Sequence, residues 1–225
     1  MLAACLAAPA AAQDIVAAEL SLPTDRYDHA VLGDAMEWGG LDLTTASGQV
    51  LRVTLPESRV FEDVTTRLAD LDGDGDREVI VVETDIARGA MLAVYDASGR
   101  VAATAPFGET HRWLAPAGIA DLDGDGRIEI AYVDRPHLAR ELVVVRLEGA
   151  ELIELARLAG LTNHRIGDSV IRGGVRDCGA GPDLRLAEPT WTRVMRVVFQ
   201  NGRLTAQPLG AISGPKGLDA ALACP

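Results

Sequence analysis

No run of lysine or arginine occurs in this chain, and its formal net charge is −12. Nucleic acid is therefore excluded as a partner, since binding it needs basic patches that displace counterions from phosphates. No apolar run after the first dozen residues approaches the ~20 needed to cross a bilayer, so no transmembrane segment is expected. Catalytic signatures are missing as well: there is no GxSxG, HExxH, P-loop or GxGxxG, and Ser169 near His164 makes no motif. Cysteine is scarce, with three among 225 residues. What is present is ordinary globular composition, 48% hydrophobic and 24% charged, which argues against disorder and allows one domain or two small ones.

Residues 1–12 (MLAACLAAPAAA) read as a secretory signal, an apolar stretch ending in small residues before Gln13. The basic n-region of such signals is missing, and the expectation is a start truncated relative to the full leader. Leu2-Ala3-Ala4-Cys5 also fits a lipobox, but with one residue before it lipid anchoring is the weaker reading. An exported protein, periplasmic or secreted in a bacterial envelope, is expected. Removal of the leader leaves Cys178 and Cys224, an even pair that reads as a disulfide in an oxidising compartment.

Two copies of one acidic signature stand 51 residues apart, Asp70-Leu71-Asp72-Gly73-Asp74-Gly75-Asp76-Arg77-Glu78 and Asp121-Leu122-Asp123-Gly124-Asp125-Gly126-Arg127-Ile128-Glu129. Nine of the chain's 33 acidic residues lie inside them, where a cation would offset their repulsion. The surrounding pattern repeats too. Turn glycines recur at Gly48, Gly99, Gly149 and Gly202, spaced 51, 50 and 53 residues apart, with strand-like aliphatic runs between them. Glu151–Leu158 has helix-like periodicity, but its place in the repeat predicts a strand.

Units of about 50 residues with four strands each are what a β-propeller is built from. The expected fold is all-β: a small propeller of about four blades, open or closed. The expected division is an N-terminal segment 13–24, blades at 25–62, 63–110, 111–162 and 163–213, and a tail 214–225. The first blade, with strands at His29–Leu32, Leu41–Thr44 and Val50–Leu55, has no acidic loop. The fourth has a degenerate one, in which Asp177 and Asp183 survive around Cys178. Either Ile15–Leu22 or Ala211–Leu222 is expected to complete a terminal blade.

The first signature offers carboxylates at positions 1, 3, 5, 7 and 9; the second has Arg127 at position 7, which leaves only its carbonyl as a ligand. Calcium takes six to eight oxygens in flexible geometry and suits such a set, and no Cys/His group for zinc is nearby. An EF-hand would need Glu at position 12, where Val81 and Tyr132 stand, and helices rather than strands at its flanks.

D-x-D-G-D-G-x-x-E followed by an apolar strand resembles the FG-GAP repeat, also called the VCBS repeat, of integrin-type propellers. The resemblance is specific in two units, architectural in the fourth and weak in the first. It implies two calcium sites, one at Asp70, Asp72, Asp74, Asp76 and Glu78, the other at Asp121, Asp123, Asp125, Arg127 (through its carbonyl) and Glu129. The chain departs from the family in carrying Glu at position 9 and in having fewer blades than the usual seven.

His111-Arg112 and His164-Arg165 occupy similar places in successive units, so they are candidates for a basic ligand site, against the alternative of bonding between blades. Trp38, Trp113 and Trp191 read as packing. The expected function is a calcium-braced module for a protein or glycan partner, without catalysis. An enzyme acting on an envelope polymer through an axial pocket, and a calcium sensor, are the alternatives.

Overall fold

A computed structural model describes residues 14–33, 36–214 and 217–224; the expected leader lies outside them. The described residues form an all-β protein in which every paired strand runs antiparallel. The strands are β1 (Ile15–Thr24), β2 (Glu37–Thr45), β3 (Val50–Thr54), β4 (Arg59–Phe61), β5 (Arg67–Ala69), β6 (Glu78–Asp85), β7 (Gly89–Asp96) and β8 (Gly99–Ala103). Then come β9 (Leu114–Ala120), β10 (Glu129–Asp134), β11 (Glu141–Glu148), β12 (Glu151–Ala159), β13 (Gly174–Arg176), β14 (Asp183–Ala187), β15 (Arg193–Gln200) and β16 (Arg203–Ala211).

Two sheets have four strands, ordered β12-β11-β10-β9 and β13-β14-β15-β16. The first two units share one eight-stranded sheet, because β4 pairs with β6 and also meets β2 at Trp38 and Phe61. None of the sheets closes on itself. Starting strands of neighbouring units meet one another (β1 with β5, β9 with β13), and so do their last strands (β8 with β12, β12 with β16). This is a propeller-like, open arrangement of successive sheets.

Burial follows from position in that stack. The middle strands β6, β7, β10 and β11 are covered on both faces and read as nearly continuous apolar runs. Three main apolar clusters fill the gaps between sheets, around Phe61 and Leu41, around Ile80 and Leu114, and around Leu142 and Leu186. Outer strand β12 has only exposed and half-buried residues, as a strand at a sheet edge does, and pairs with β11 as the repeat predicted, with a register shift opposite Val144 and Val145. Gly48, Gly99, Gly149 and Gly202 all take positive φ at their turns. Where β9 crosses β13, a Cβ on Gly118 would stand 2.3 Å from Val175 Cγ2, so this close approach requires glycine.

Two expectations change. His29–Leu32 is not a strand but part of the connection from β1 to β2; the strand that starts the first sheet is β1, so of the two candidates for a terminal strand Ile15–Leu22 is the one that forms it. The candidate Ala211–Leu222 forms no added strand. It ends β16 and continues into a short 3-10 helix, Gly217–Leu222, whose Leu218 is buried beside β13 and β14.

Candidate functional site

Each acidic signature is the connection between the first and second strand of its unit, β5 to β6 and β9 to β10. The sequence folds these loops tightly because carboxylates cap its own amides and glycines accept positive φ. In the first, Asp70 Oδ1 accepts from Gly73 N (2.8 Å) and Oδ2 from Gly75 N (3.1 Å). Asp72 accepts from Asp74 N and Asp74 from Asp76 N, while Gly73 and Gly75 have φ of 79° and 94°. Glu78 opens β6 and turns back, its Oε2 accepting from Leu71 N at 2.8 Å. The second loop repeats these contacts at Asp121, Asp123, Asp125 and Glu129.

The outcome is a trio of carboxylates in each loop. Ligand oxygens of Asp70, Asp72 and Glu78 lie within 4.8 Å of one another, and so do those of Asp121, Asp123 and Glu129. Asp74, Asp76, Asp125 and the side chain of Arg127 lie outside these trios, and Arg127 reaches away to Glu148 (3.1 Å).

A family comparison matches residues 70–132 to the model described as FG-GAP-like repeat. This stretch is an FG-GAP-like repeat segment. Comparison with curated proteins finds no match. Among solved structures, a rhamnogalacturonan lyase, YesW, aligns at 16% identity and a TM-score of 0.43 over 79% of this chain and 43% of the lyase chain. This chain thus spans less than half of that protein, and likeness at this level carries no inference about activity.

The first loop of the FG-GAP-like segment fits a cation. Glu78 is buried at 6% exposure without a basic partner among the described residues, and Arg77 faces outward to Asp14 (2.8 Å). Burial first, then the charges of Asp72, Asp74 and Asp70, push the Glu78 carboxyl up to about 7, against the hydrogen bond from Leu71. Clustered oxygen donors without a counter-charge are the donor set of a hard divalent ion.

The second loop of the segment differs in one side chain. Arg146 of β11 pairs with Glu129 across the ladder, and its guanidinium is 8% exposed. Arg146 Nε donates to Glu129 Oε1 (2.7 Å), Nη2 donates to Asp125 Oδ2 (2.9 Å) and to Glu129, and Nη2 is 3.8 Å from Asp123 Oδ2. Burial raises the Glu129 pKa, with Arg146 opposing it. This loop already holds one internal cation.

The degenerate fourth loop has two. Asp183, 4% exposed, meets Arg185 Nε at 2.6 Å and accepts from Arg196 Nε at 2.7 Å. Cys178 and Cys224 are joined as expected, with Cα atoms 5.7 Å apart.

The other sequence candidates lie at the opposite strand ends. β10 runs from Glu129 at its loop to Asp134, roughly 17 Å away at ~3.3 Å per residue. There a cavity of about 180 Å³ is lined by His111 and Arg112, together with His29, Arg135 and His137, which sequence reasoning did not select. His164 is 1% exposed and stands behind the wall, bonded to His137. Arg165 is elsewhere, 4.4 Å above the Trp191 ring. Only a map of which strand ends coincide would have brought His29 and His137 together.

Proposed function

We infer that the chain is an exported, calcium-braced β-propeller-like module that binds or scaffolds a partner in the cell envelope and has no catalysis of its own. The observation that carries this is the pair of carboxylate trios at equivalent hairpins, set in an FG-GAP-like segment. Six to eight oxygens from carboxylates, carbonyls and water suit calcium better than magnesium, which keeps more of its water. Asp70, Asp72 and Glu78 would hold one ion and Asp121, Asp123 and Glu129 the other, tying the first and second strands of their sheets. A hydrated cation supplies charge here, and the chain supplies the fixed oxygens. The disulfide supports an oxidising compartment, and no helix among the described residues is long and apolar enough to cross a membrane.

Thermal melting with calcium and with excess chelator tests the reading. An ion bound only by the folded state at about 100 times its dissociation constant stabilises by about 2.7 kcal/mol, so the midpoint should rise by several degrees. A midpoint unmoved by chelation, or moved equally by magnesium, overturns the calcium brace. Turnover of an envelope polymer by the purified chain overturns the purely binding role.

A further inference from the structure

All four histidines of the chain gather at the end of the fold away from the acidic loops, in two linked pairs. His29 and His111 have ring centroids 5.1 Å apart, and His137 and His164 are 5.2 Å apart. Trp113, 2% exposed, packs edge-on against His164 at 4.9 Å. Hydrogen bonds fix the ring states. His164 Nε2 donates to the Asp168 carbonyl (2.8 Å), so in the neutral ring Nδ1 is the acceptor. His137 Nε2 must then be the donor of the 3.0 Å bond between the two rings, which leaves His137 Nδ1 a bare acceptor. Burial, with His164, His29 and Arg140 nearby, lowers the His137 pKa to about 4 and keeps this ring neutral.

His29 is fixed in the same way from the other side. Its Nδ1 donates to Glu62 Oε1 (2.5 Å), a carboxylate of zero exposure whose Oε2 accepts from Thr84 Oγ1 (2.6 Å). Nε2 is the nitrogen left for the cavity. Arg112 and Arg135 add donors to the same lining. Each spends part of its fork on a carboxylate, Glu109 and Asp134, both at 2.6 Å; a guanidinium has five N–H groups and keeps others. Leu138 and Ile166, 63% and 73% exposed, form apolar lips.

Backbone strain is concentrated here. His111 and Arg135 line the cavity with φ of 55° and 42°, and Ala30 and Arg140 beside it have 47° and 55°. Left-handed non-glycine residues cost free energy and persist where the surroundings over-determine them, which is common at ligand sites.

We propose that this cavity binds a small polyhydroxylated carboxylate, a sugar acid, with the carboxylate on Arg112 and Arg135 and ring hydroxyls donating to His29 Nε2 and His137 Nδ1. Two acceptor nitrogens beside two cationic forks select a ligand with hydroxyl donors and an anionic group together. A volume of about 180 Å³ is below the ~300–1,000 Å³ of sites for drug-sized ligands and suits one sugar ring, whose C–H face meets Leu138 and Ile166. The proposal rests on the binding role inferred above and gives it a ligand class.

The test is calorimetric titration of the calcium-saturated full chain with glucuronate, glucose and acetate, alongside histidine ring 15N spectra. Glucuronate should bind about tenfold or more tightly than either control, because each control lacks one half of the recognised chemistry. Its binding should shift His29 Nε2 and His137 Nδ1. Arg112→Gln should cost about tenfold for glucuronate and nothing for glucose; Arg135→Gln, read the same way, covers the case of a misfolded Arg112 variant. Lack of glucuronate binding, equal binding of all three, or no loss in either folded variant overturns the proposal. A chain that still melts higher in calcium but ignores glucuronate overturns the cavity assignment alone; one that binds glucuronate with no calcium shift overturns the brace alone.

Discussion

On the calcium reading inferred above, replacing Arg146 with glutamine should turn the weaker of the two acidic loops into a strong binder. The guanidinium lies 2.7–3.8 Å from oxygens of Glu129, Asp125 and Asp123, so a divalent ion entering that trio meets a resident positive charge. Two unit charges at 4 Å repel by about 1 kcal/mol in bulk water and about 4 kcal/mol at an effective dielectric constant of 20. A double charge doubles this, and for a partly open loop the low end, about 2 kcal/mol, is the appropriate figure. Removing it corresponds to about 30-fold in affinity. The same substitution leaves Glu129, of zero exposure, without its partner, which should destabilise the calcium-free protein by about 3–5 kcal/mol. Calorimetric calcium titration in an Asp70→Asn/Asp72→Asn background, which silences the first loop, reads the second alone. The expected signature is tighter binding by Arg146→Gln, a lower melting point in chelator and recovery in calcium. Unchanged or weaker affinity in a variant that folds in calcium would refute the competition argument.

Three further outcomes follow from the same contacts. Cys178→Ser/Cys224→Ser should lower stability by about 4 kcal/mol on the chain-entropy relation for the 46-residue separation, measured by urea melts; a change under 1 kcal/mol would show that the arginines alone hold the fourth loop. The histidine pair should make stability fall with acidity. Both folded-state pKa values lie below 6.5, His137 at about 4, so between those values the unfolded chain takes up protons that the folded chain refuses, and stability is lost as pH drops. His137→Asn should flatten that slope in melts from pH 7 to 4, and an unaltered slope would assign it to other groups. Glu83, fully buried, accepts from Arg59 Nη1 (2.9 Å), Arg100 Nη1 (2.9 Å) and Tyr95 Oη (2.6 Å), so Glu83→Ala should cost about 3–5 kcal/mol in equilibrium unfolding; a loss under 1 kcal/mol would show that this cluster is already solvated.

Local chemistry was legible in the chain and long-range pairing was not. The loops declare themselves because the contacts that coil them, carboxylates capping the loops' own amides, span at most seven residues, from Asp70 to Gly75 and from Leu71 to Glu78. Strand β12 was legible only through the repeat, since Glu151–Ala159 taken alone has the periodicity of a helix. β1 was legible only as one of two candidates for a terminal strand, because twelve residues separate it from β2 where the acidic loops that join β5 to β6 and β9 to β10 have eight. Arg146 sits in an aliphatic run, and its role depends on the register that sets it opposite Glu129. His29 and His137 are far apart in sequence and come together only in the lining of one cavity.

The three acidic loops share a buried carboxylate at the start of the second strand, and they differ in what balances it. Glu78, Glu129 and Asp183 are 6%, 0% and 4% exposed, and a carboxylate so placed destabilises the fold unless its charge is matched or lost. Among the described residues the first has no basic side chain in contact, the second has Arg146, and the third has Arg185 and Arg196. As guanidinium groups accumulate, the acidic loop shrinks from five carboxylates to four to two, and in the last the Cys178–Cys224 bridge holds the connection covalently. The same hairpin is thus closed by three different means, and dependence on an external cation should be greatest where the chain supplies no cation of its own. On the brace inferred above, that dependence falls on the β5–β6 connection, next to the joint through which β4 ties the first unit to the second.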